Sequence, residues 1–122
     1  MSKTRLVGII LFAGLFLPIL TLAHSGGEAV TVSGEVVDLA CFVAHAAKGP
    51  DHQKCALKCA QMGQPMGLLS ADGKLYLLVA DHTDPAPYNK ARSMAADQVE
   101  IKGDVSEKSG MTILTVDEVK KR

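Results

Sequence analysis

The dipeptide Asp72-Gly73 stands between two short apolar runs, and this arrangement is the strongest local sequence signal for a β-hairpin. It predicts two strands joined by a tight turn. Elsewhere, apolar and polar residues alternate with a period of two, which is typical of half-buried strands. Together these patterns predict five strands, at about residues 30–38, 67–71, 74–80, 98–105 and 111–119.

Two helices are predicted between these strands. Good helix formers fill residues 51–62, with Asp51 as the N-cap and Gly63 as the residue that follows the helix. A second, short helix is predicted at residues 89–97. Its inward side is expected to consist of Tyr88, Ala91, Met94 and Ala95.

The order of these elements predicts a mainly β fold. The predicted order is a strand, a helical insert, two strands, a helix and two more strands. This order suits a small five-stranded antiparallel barrel like the OB-fold, which has a helix between its third and fourth strands. The helical insert after strand 1, about residues 41–63, is an addition to that pattern. Gly34 and Gly103 lie in the middle of strands, where they are expected to permit the sharp bending of a small barrel.

The N-terminal 23 residues have the pattern of a secretory signal peptide. Basic residues precede an apolar run from Leu6 to Leu22, and small residues occupy the positions before a cleavage point after Ala23. The run alone could also anchor the chain in a membrane, but Pro18 and the cleavage pattern favour removal. We therefore expect one domain, residues 24–122, that is periplasmic or secreted and does not associate with a membrane after cleavage.

Composition argues against several classes of function. The formal net charge is zero, and Phe42, Tyr76 and Tyr88 are the few aromatic residues after the predicted cleavage point. A nucleic-acid partner is therefore not expected, because such binding needs basic charge and, for single strands, stacking aromatics. The sequence also has no recognisable nucleophile motif, phosphate-binding loop or haem-attachment motif, which favours a role other than catalysis.

The most informative segment runs from Cys41 to Cys59, because it contains all three cysteines and two of the four histidines. His52, Cys55 and Cys59 have the i, i+3, i+7 spacing of one helix face, and Cys41 arrives from the end of strand 1. Three thiolates and one imidazole form a four-coordinate set that suits one ion of zinc or copper(I).

Three further residues are candidates for this site. Asp38 is either a partner that orients His52 or a turn residue that ends the strand. His45, in the predicted loop between Cys41 and Pro50, could replace His52 as a ligand or simply be solvated. Met62 continues the same helix face, where a thioether could bind copper(I) or fill the core.

Two other interpretations of the cysteines stay open. A disulfide from Cys41 to Cys55 or Cys59 would close a loop of about 15 residues and contribute roughly 3 kcal/mol, but it leaves one thiol over. The chain would then be an interaction or structural module. A thiol–disulfide redox protein is the third interpretation, although such proteins typically use CxxC, whereas the spacing here is CxxxC.

The stretches VSGEVVDLACF, HQKCALKC, GQPMGLL and DGKLYLLV resemble the pattern of a group of small exported bacterial proteins of unassigned function. The resemblance covers essentially the whole chain after the predicted signal peptide, but Phe42 stands where the group often has tyrosine and Ala46 lies near a common glycine. It implies that the cysteines and His52 belong together, without specifying their chemistry. The matching positions are Cys41, His52, Cys55, Cys59, Gly63, Pro65 and Gly67.

These observations predict an exported small metal-binding protein with a structural or metal-handling role. The expected partner is the metal ion. Any protein partner is left unidentified by the sequence.

Overall fold

The computed structural model describes residues 27–122, so the predicted signal peptide lies outside the described residues. Among residues 27–122, no helix is long and apolar enough to cross a membrane. The elements in chain order are β1 (Glu28–Asp38), α1 (Leu39–His45), a single 3₁₀ turn (Pro50–His52), α2 (Gln53–Gln61), β2 (Met66–Ser70), β3 (Leu75–Ala80), α3 (Ala86–Arg92), β4 (Gln98–Lys108) and β5 (Met111–Lys121).

The five strands form a closed barrel in the order β1-β2-β3-β5-β4, with β4 paired back to β1. This confirms the predicted barrel, with its helical insert after β1 and its short helix between β3 and β4. One junction differs from the prediction, because β3 and β5 run parallel. A closed ring with an odd number of strands cannot alternate in direction at every junction, so a five-stranded barrel must contain a parallel pair.

Turn residues fix the two hairpins. Asp72-Gly73 lies in the β2–β3 turn as predicted, with Gly73 at φ +85°. The β4–β5 turn consists of Ser109 and Gly110, both with positive φ, which matches the twist of the flanking strands. Because this turn needs only two residues, β4 continues to Lys108, beyond its predicted end.

The core fills the barrel interior and continues beneath the helices. Its strand residues, such as Leu68, Ile101 and Leu114, are fully buried. The predicted inward side of α3 is confirmed: Ala91 and Ala95 are fully buried, and Tyr88 and Met94 are packed against the core. The helix itself ends earlier than predicted, at Arg92, and the inward residues after it lie in turns.

Two mid-strand glycines allow neighbouring strands to approach closely, as predicted. A Cβ atom on Gly103 would lie 1.9 Å from the carbonyl oxygen of Thr115, and one on Gly34 would lie 2.3 Å from that of Leu69. The β4–β5 register also shifts between Lys102 and Gly103. The register shift at Gly103 is typical of a bulge that bends a strand, and the close approaches explain why both positions require glycine.

The insert differs from its prediction at two points. The segment after Cys41 is not a loop, because α1 begins directly after β1 and Asp38 caps it. Asp51 is not the N-cap of α2, since the 3₁₀ turn precedes that helix and His52 occupies the cap position. Gly63 follows α2 at φ +82°, as predicted.

Candidate metal centre

The three cysteines come together at the surface of the insert. Cys41 lies on α1, and Cys55 and Cys59 lie one turn apart on α2. Their Sγ atoms are all within 4.8 Å of one another, and all three are free thiols. The sequence prediction that these residues form one cluster is therefore confirmed, and its geometry is close enough for three thiolates to bind one metal ion.

The three thiols differ in their access to solvent. Cys59 is only 9% exposed, Cys41 is half-buried, and Cys55 is exposed. The cluster is therefore closed on the side of the barrel and open at Cys55. A metal ion bound there would be shielded by protein on one side and reachable by another molecule on the other.

Asp38 connects the cluster to the barrel. It is fully buried at the end of β1, and its Oδ1 accepts a hydrogen bond from the backbone N–H of Cys41 at 2.8 Å. Its Oδ2 lies 2.9 Å from Nε2 of His52. Both contacts expected of Asp38 are thus present, since one carboxylate caps α1 at the end of the strand and also pairs with the imidazole.

The contact with Asp38 determines how His52 is presented. Because the carboxylate accepts a hydrogen, Nε2 of His52 is the nitrogen that carries it, and Nδ1 of the neutral ring keeps its lone pair. Metal-binding histidines typically have such an acceptor behind the ring. His52, Asp38 and Cys41 also offer ligand atoms within 4.8 Å of one another. The structure therefore places His52 in a second triple that shares only Cys41 with the cysteine cluster, and the four predicted ligands do not all lie within this distance of one another.

Helix α2 is fixed at both ends, which holds Cys55 and Cys59 in place. At its start, the side-chain amide of Gln53 donates to Oδ1 of Asp97 at 3.2 Å. At its end, Nη2 of Arg92 donates to the carbonyl oxygen of Ala60 at 2.6 Å. The backbone N–H groups of Gly63 and Gln64 bond to the carbonyls of Ala60 and Cys59, which completes a Schellman motif.

The surroundings of the cluster change the pKa values of its groups. A hydrogen bond to Asp38, together with burial, raises the pKa of the Cys41 thiol to about 12. Burial and the negative charge of Asp38 raise the pKa of Cys59. Burial acts to raise the pKa of Asp38 itself, but the hydrogen bonds from Cys41 and His52 outweigh it and hold that pKa below its usual value.

These pKa shifts bear on the chemistry of the cluster. Thiol–disulfide exchange needs a thiolate at neutral pH, and redox enzymes lower the pKa of the attacking thiol. Cys41 and Cys59 are shifted in the opposite direction, so neither has the lowered pKa of an attacking redox thiol. A bound cation would instead displace the protons from these thiols, because metal ligation requires the deprotonated form.

The two remaining candidate residues, His45 and Met62, are both exposed to solvent. His45 is exposed in the last turn of α1 and belongs to neither triple. Met62 caps the C-terminus of α2 and is 63% exposed, so it does not fill the core.

One residue near the site was missed by the sequence analysis. The alternation in β1 predicts that Glu35 faces solvent, yet its side chain is buried beneath the insert. Its Oε1 accepts a hydrogen bond from the backbone N–H of Gly49, directly before the 3₁₀ turn that carries His52. No signal in the strand pattern distinguishes Glu35, because its burial depends on how the insert folds back.

Comparison with known proteins adds no family to this description. No protein-family model matches the chain, and a search of curated proteins finds no similar protein. The functional argument therefore depends on the geometry of the site.

Proposed function

We propose that this protein binds one ion of zinc or copper(I) through Cys41, Cys55 and Cys59. The observation that carries the proposal is the proximity of the three sulfur atoms, all within 4.8 Å of one another. Soft thiolate ligands select these two metals among those common in cells. Binding at neutral pH would release protons from these thiols, because metal ligation requires thiolates.

His52 supplies a fourth ligand for zinc in this proposal. Zinc in protein sites is nearly always four-coordinate, and Nδ1 of His52 is the lone pair that the bond to Asp38 leaves available. Copper(I) is satisfied by three sulfurs, so it needs His52 less. The two metals are therefore expected to differ in their dependence on this histidine.

We favour metal handling over a purely structural role. The barrel has its own core of buried strand residues, and α2 is held by Ala56 and Ala60 packed into that core. The fold therefore does not depend on the metal for its core. An exposed ligand, Cys55, is more useful for exchanging an ion than for sealing it. The signal-peptide pattern of residues 1–23 supports a role in the periplasm or outside the cell.

The test is the mass of the protein isolated from its exported compartment, under native and denaturing conditions. We expect a native mass higher by one metal ion and three free thiols after denaturation. The Cys59→Ser variant should lose most of the metal, whereas His45→Ala, which removes an exposed histidine outside both triples, should retain it.

A different result would overturn the proposal. A metal-free protein that is lighter by two hydrogens would show that two of the cysteines form a disulfide. The insert would then be held by a covalent link between two cysteines. Unchanged metal content in the Cys59→Ser variant would show that Cys59 is not a ligand.

A further inference from the structure

We propose that the metal ion is exchanged with a second protein that docks on the insert through an acidic face and presents thiol ligands beside Cys55. This inference rests on the proposed function and names the kind of partner that the site serves. It combines the exposure of one ligand, the charge of the insert and the apolar residues on the same helices.

Of the three candidate ligands, Cys55 is the most accessible to a second molecule. Cys59 is buried and Cys41 is half-buried, while Cys55 is exposed. An incoming thiolate can therefore reach the ion next to Cys55 without any movement of the barrel. Ligand exchange begins when an incoming group replaces one protein ligand, and the exposed Cys55 is the ligand that an incoming thiolate can replace most directly.

The charge around Cys55 is positive. Lys54 and Lys58 flank it on α2, both are exposed, and Lys48 lies in the loop before the 3₁₀ turn. Asp51 is the only acidic residue between Leu39 and Gln64. In the rest of the described chain acidic residues outnumber basic ones, so the insert is a basic region on an acidic domain. Charge complementarity of this kind steers a partner with an acidic face toward the insert.

Exposed apolar side chains occur on both helices that carry the cysteines. Val43 on α1 is 72% exposed, and Met62 at the end of α2 is 63% exposed. An apolar centre with a charged rim is the usual composition of a protein interface. The same helices therefore present both the metal ligands and the surface that a partner would cover.

The exchange itself changes no oxidation state. Bonds from the ion to the sulfurs of Cys41, Cys55 and Cys59, and for zinc also to Nδ1 of His52, break as bonds to the acceptor's thiolates form, and water fills any coordination position that the acceptor leaves. The acceptor thiols lose their protons to water in this step, and the released thiolates of the donor take protons up from water. The reverse sequence loads the protein.

The experiment measures metal transfer from the loaded protein to two synthetic peptides. Each peptide has the same Cys-x-x-Cys core, flanked by glutamates in one and by lysines in the other. Stopped-flow spectroscopy follows the transfer at low ionic strength. We expect transfer to the glutamate peptide to be at least about tenfold faster, and the difference to shrink as salt is added.

Charge-reversal variants locate the docking surface. Lys54→Glu combined with Lys58→Glu should reverse the preference between the two peptides while metal affinity is retained. The matched control is Lys102→Glu combined with Lys108→Glu, which reverses two exposed lysines on β4 outside the insert. The control should keep the preference of the unmodified protein, and circular dichroism should show that both double variants are folded.

The outcomes separate this inference from the proposed function. A protein that binds metal but transfers it equally to both peptides would overturn the docking proposal and leave the proposed function intact. An equal effect of the β4 control would also overturn it, since the charge effect would then be general. A protein that binds no metal would overturn both.

Discussion

Nε2 of His52 and Oδ2 of Asp38 lie 2.9 Å apart, although the whole of α1 and the loop that follows it separate these two residues in the sequence. The same carboxylate holds the first turn of α1 through Cys41. Asp38 therefore contacts two groups of the candidate metal site at once, from the end of the barrel strand, where it is fully buried.

Replacing Asp38 with asparagine should weaken metal binding by about 10-fold to 100-fold, because the imidazole loses the acceptor that orients it. Competition with a chromophoric chelator measures the affinity. Asp51→Asn is the matched control, since Asp51 is exposed and directly precedes His52 in the sequence. An affinity in Asp38→Asn equal to that of the control would show that the contact does not support the site.

The metal-free protein should lose stability at alkaline pH. The pKa of Cys41 rises from its ordinary 9.0 to about 12 in the folded state. A raised pKa stabilises the folded state fully below the unfolded pKa, and this contribution is lost as the pH rises from about 9 toward 12. Urea unfolding at pH 8 and pH 10.5 should show the loss, and it should be smaller in Cys41→Ser. A loss of equal size in that variant would contradict the assignment to Cys41.

The two histidines of the insert should differ in their effect on zinc. His52→Ala removes the fourth ligand and should reduce zinc affinity by at least about tenfold, with a smaller effect on copper(I). His45→Ala should change neither, because His45 is exposed and belongs to neither triple. Titration of each variant with each metal provides the measurement. Equal loss of both metals in His52→Ala would mean that the imidazole binds either ion.

The Ala46→Gly variant should be more stable than the natural protein by about 1 kcal/mol. Ala46 ends α1 in the left-handed conformation at φ 54°, which is unfavourable for a residue with a Cβ atom and natural for glycine. Ala47→Gly is the control, because Ala47 is not in that conformation and glycine there only adds freedom to the unfolded chain. Denaturant unfolding should show opposite signs for the two variants, and equal signs would contradict the explanation.

The Gly103→Ala variant should destabilise the barrel by about 3 kcal/mol, since its Cβ would overlap the carbonyl of Thr115 and the strands would have to separate. Ser106→Ala on the same strand, at an exposed position, should have little effect. Thermal unfolding followed by circular dichroism compares them. A Gly103→Ala variant as stable as Ser106→Ala would show that β4 and β5 can adjust at the bulge.

Much of the barrel could be predicted from the sequence because its signals are local. Asp72-Gly73 defines one hairpin, and the alternation that begins at Val30 defines β1. The parallel pairing of β3 with β5 has no local signal, since it follows from closing a ring of five strands. Helix α1 was missed because seven residues are too few to be helical alone, so its formation depends on the cap from Asp38.

In the candidate site, too, some features could be predicted from local sequence signals and others could not. The one-face spacing of Cys55 and Cys59 follows from helix geometry, and their approach to Cys41 was expected from the chain path. The burial of Glu35 could not be predicted, because it depends on the loop at Gly49 returning over β1. The candidate ligands are visible in the sequence, whereas the contact of Glu35 with the loop at Gly49 becomes visible only in the folded chain.

The register of β1 with β2 has a consequence for protein engineering. Asp38 at the end of one strand is directly paired with Met66 at the start of the next, so the insert leaves and re-enters the barrel at adjacent points. The two ends of this excursion are therefore about one strand spacing apart, roughly 5 Å. That is the same separation that any antiparallel hairpin offers, so a graft into an unrelated sheet would fit the strand ends but would also need partners in place of Asp97 and Arg92, which hold α2 here.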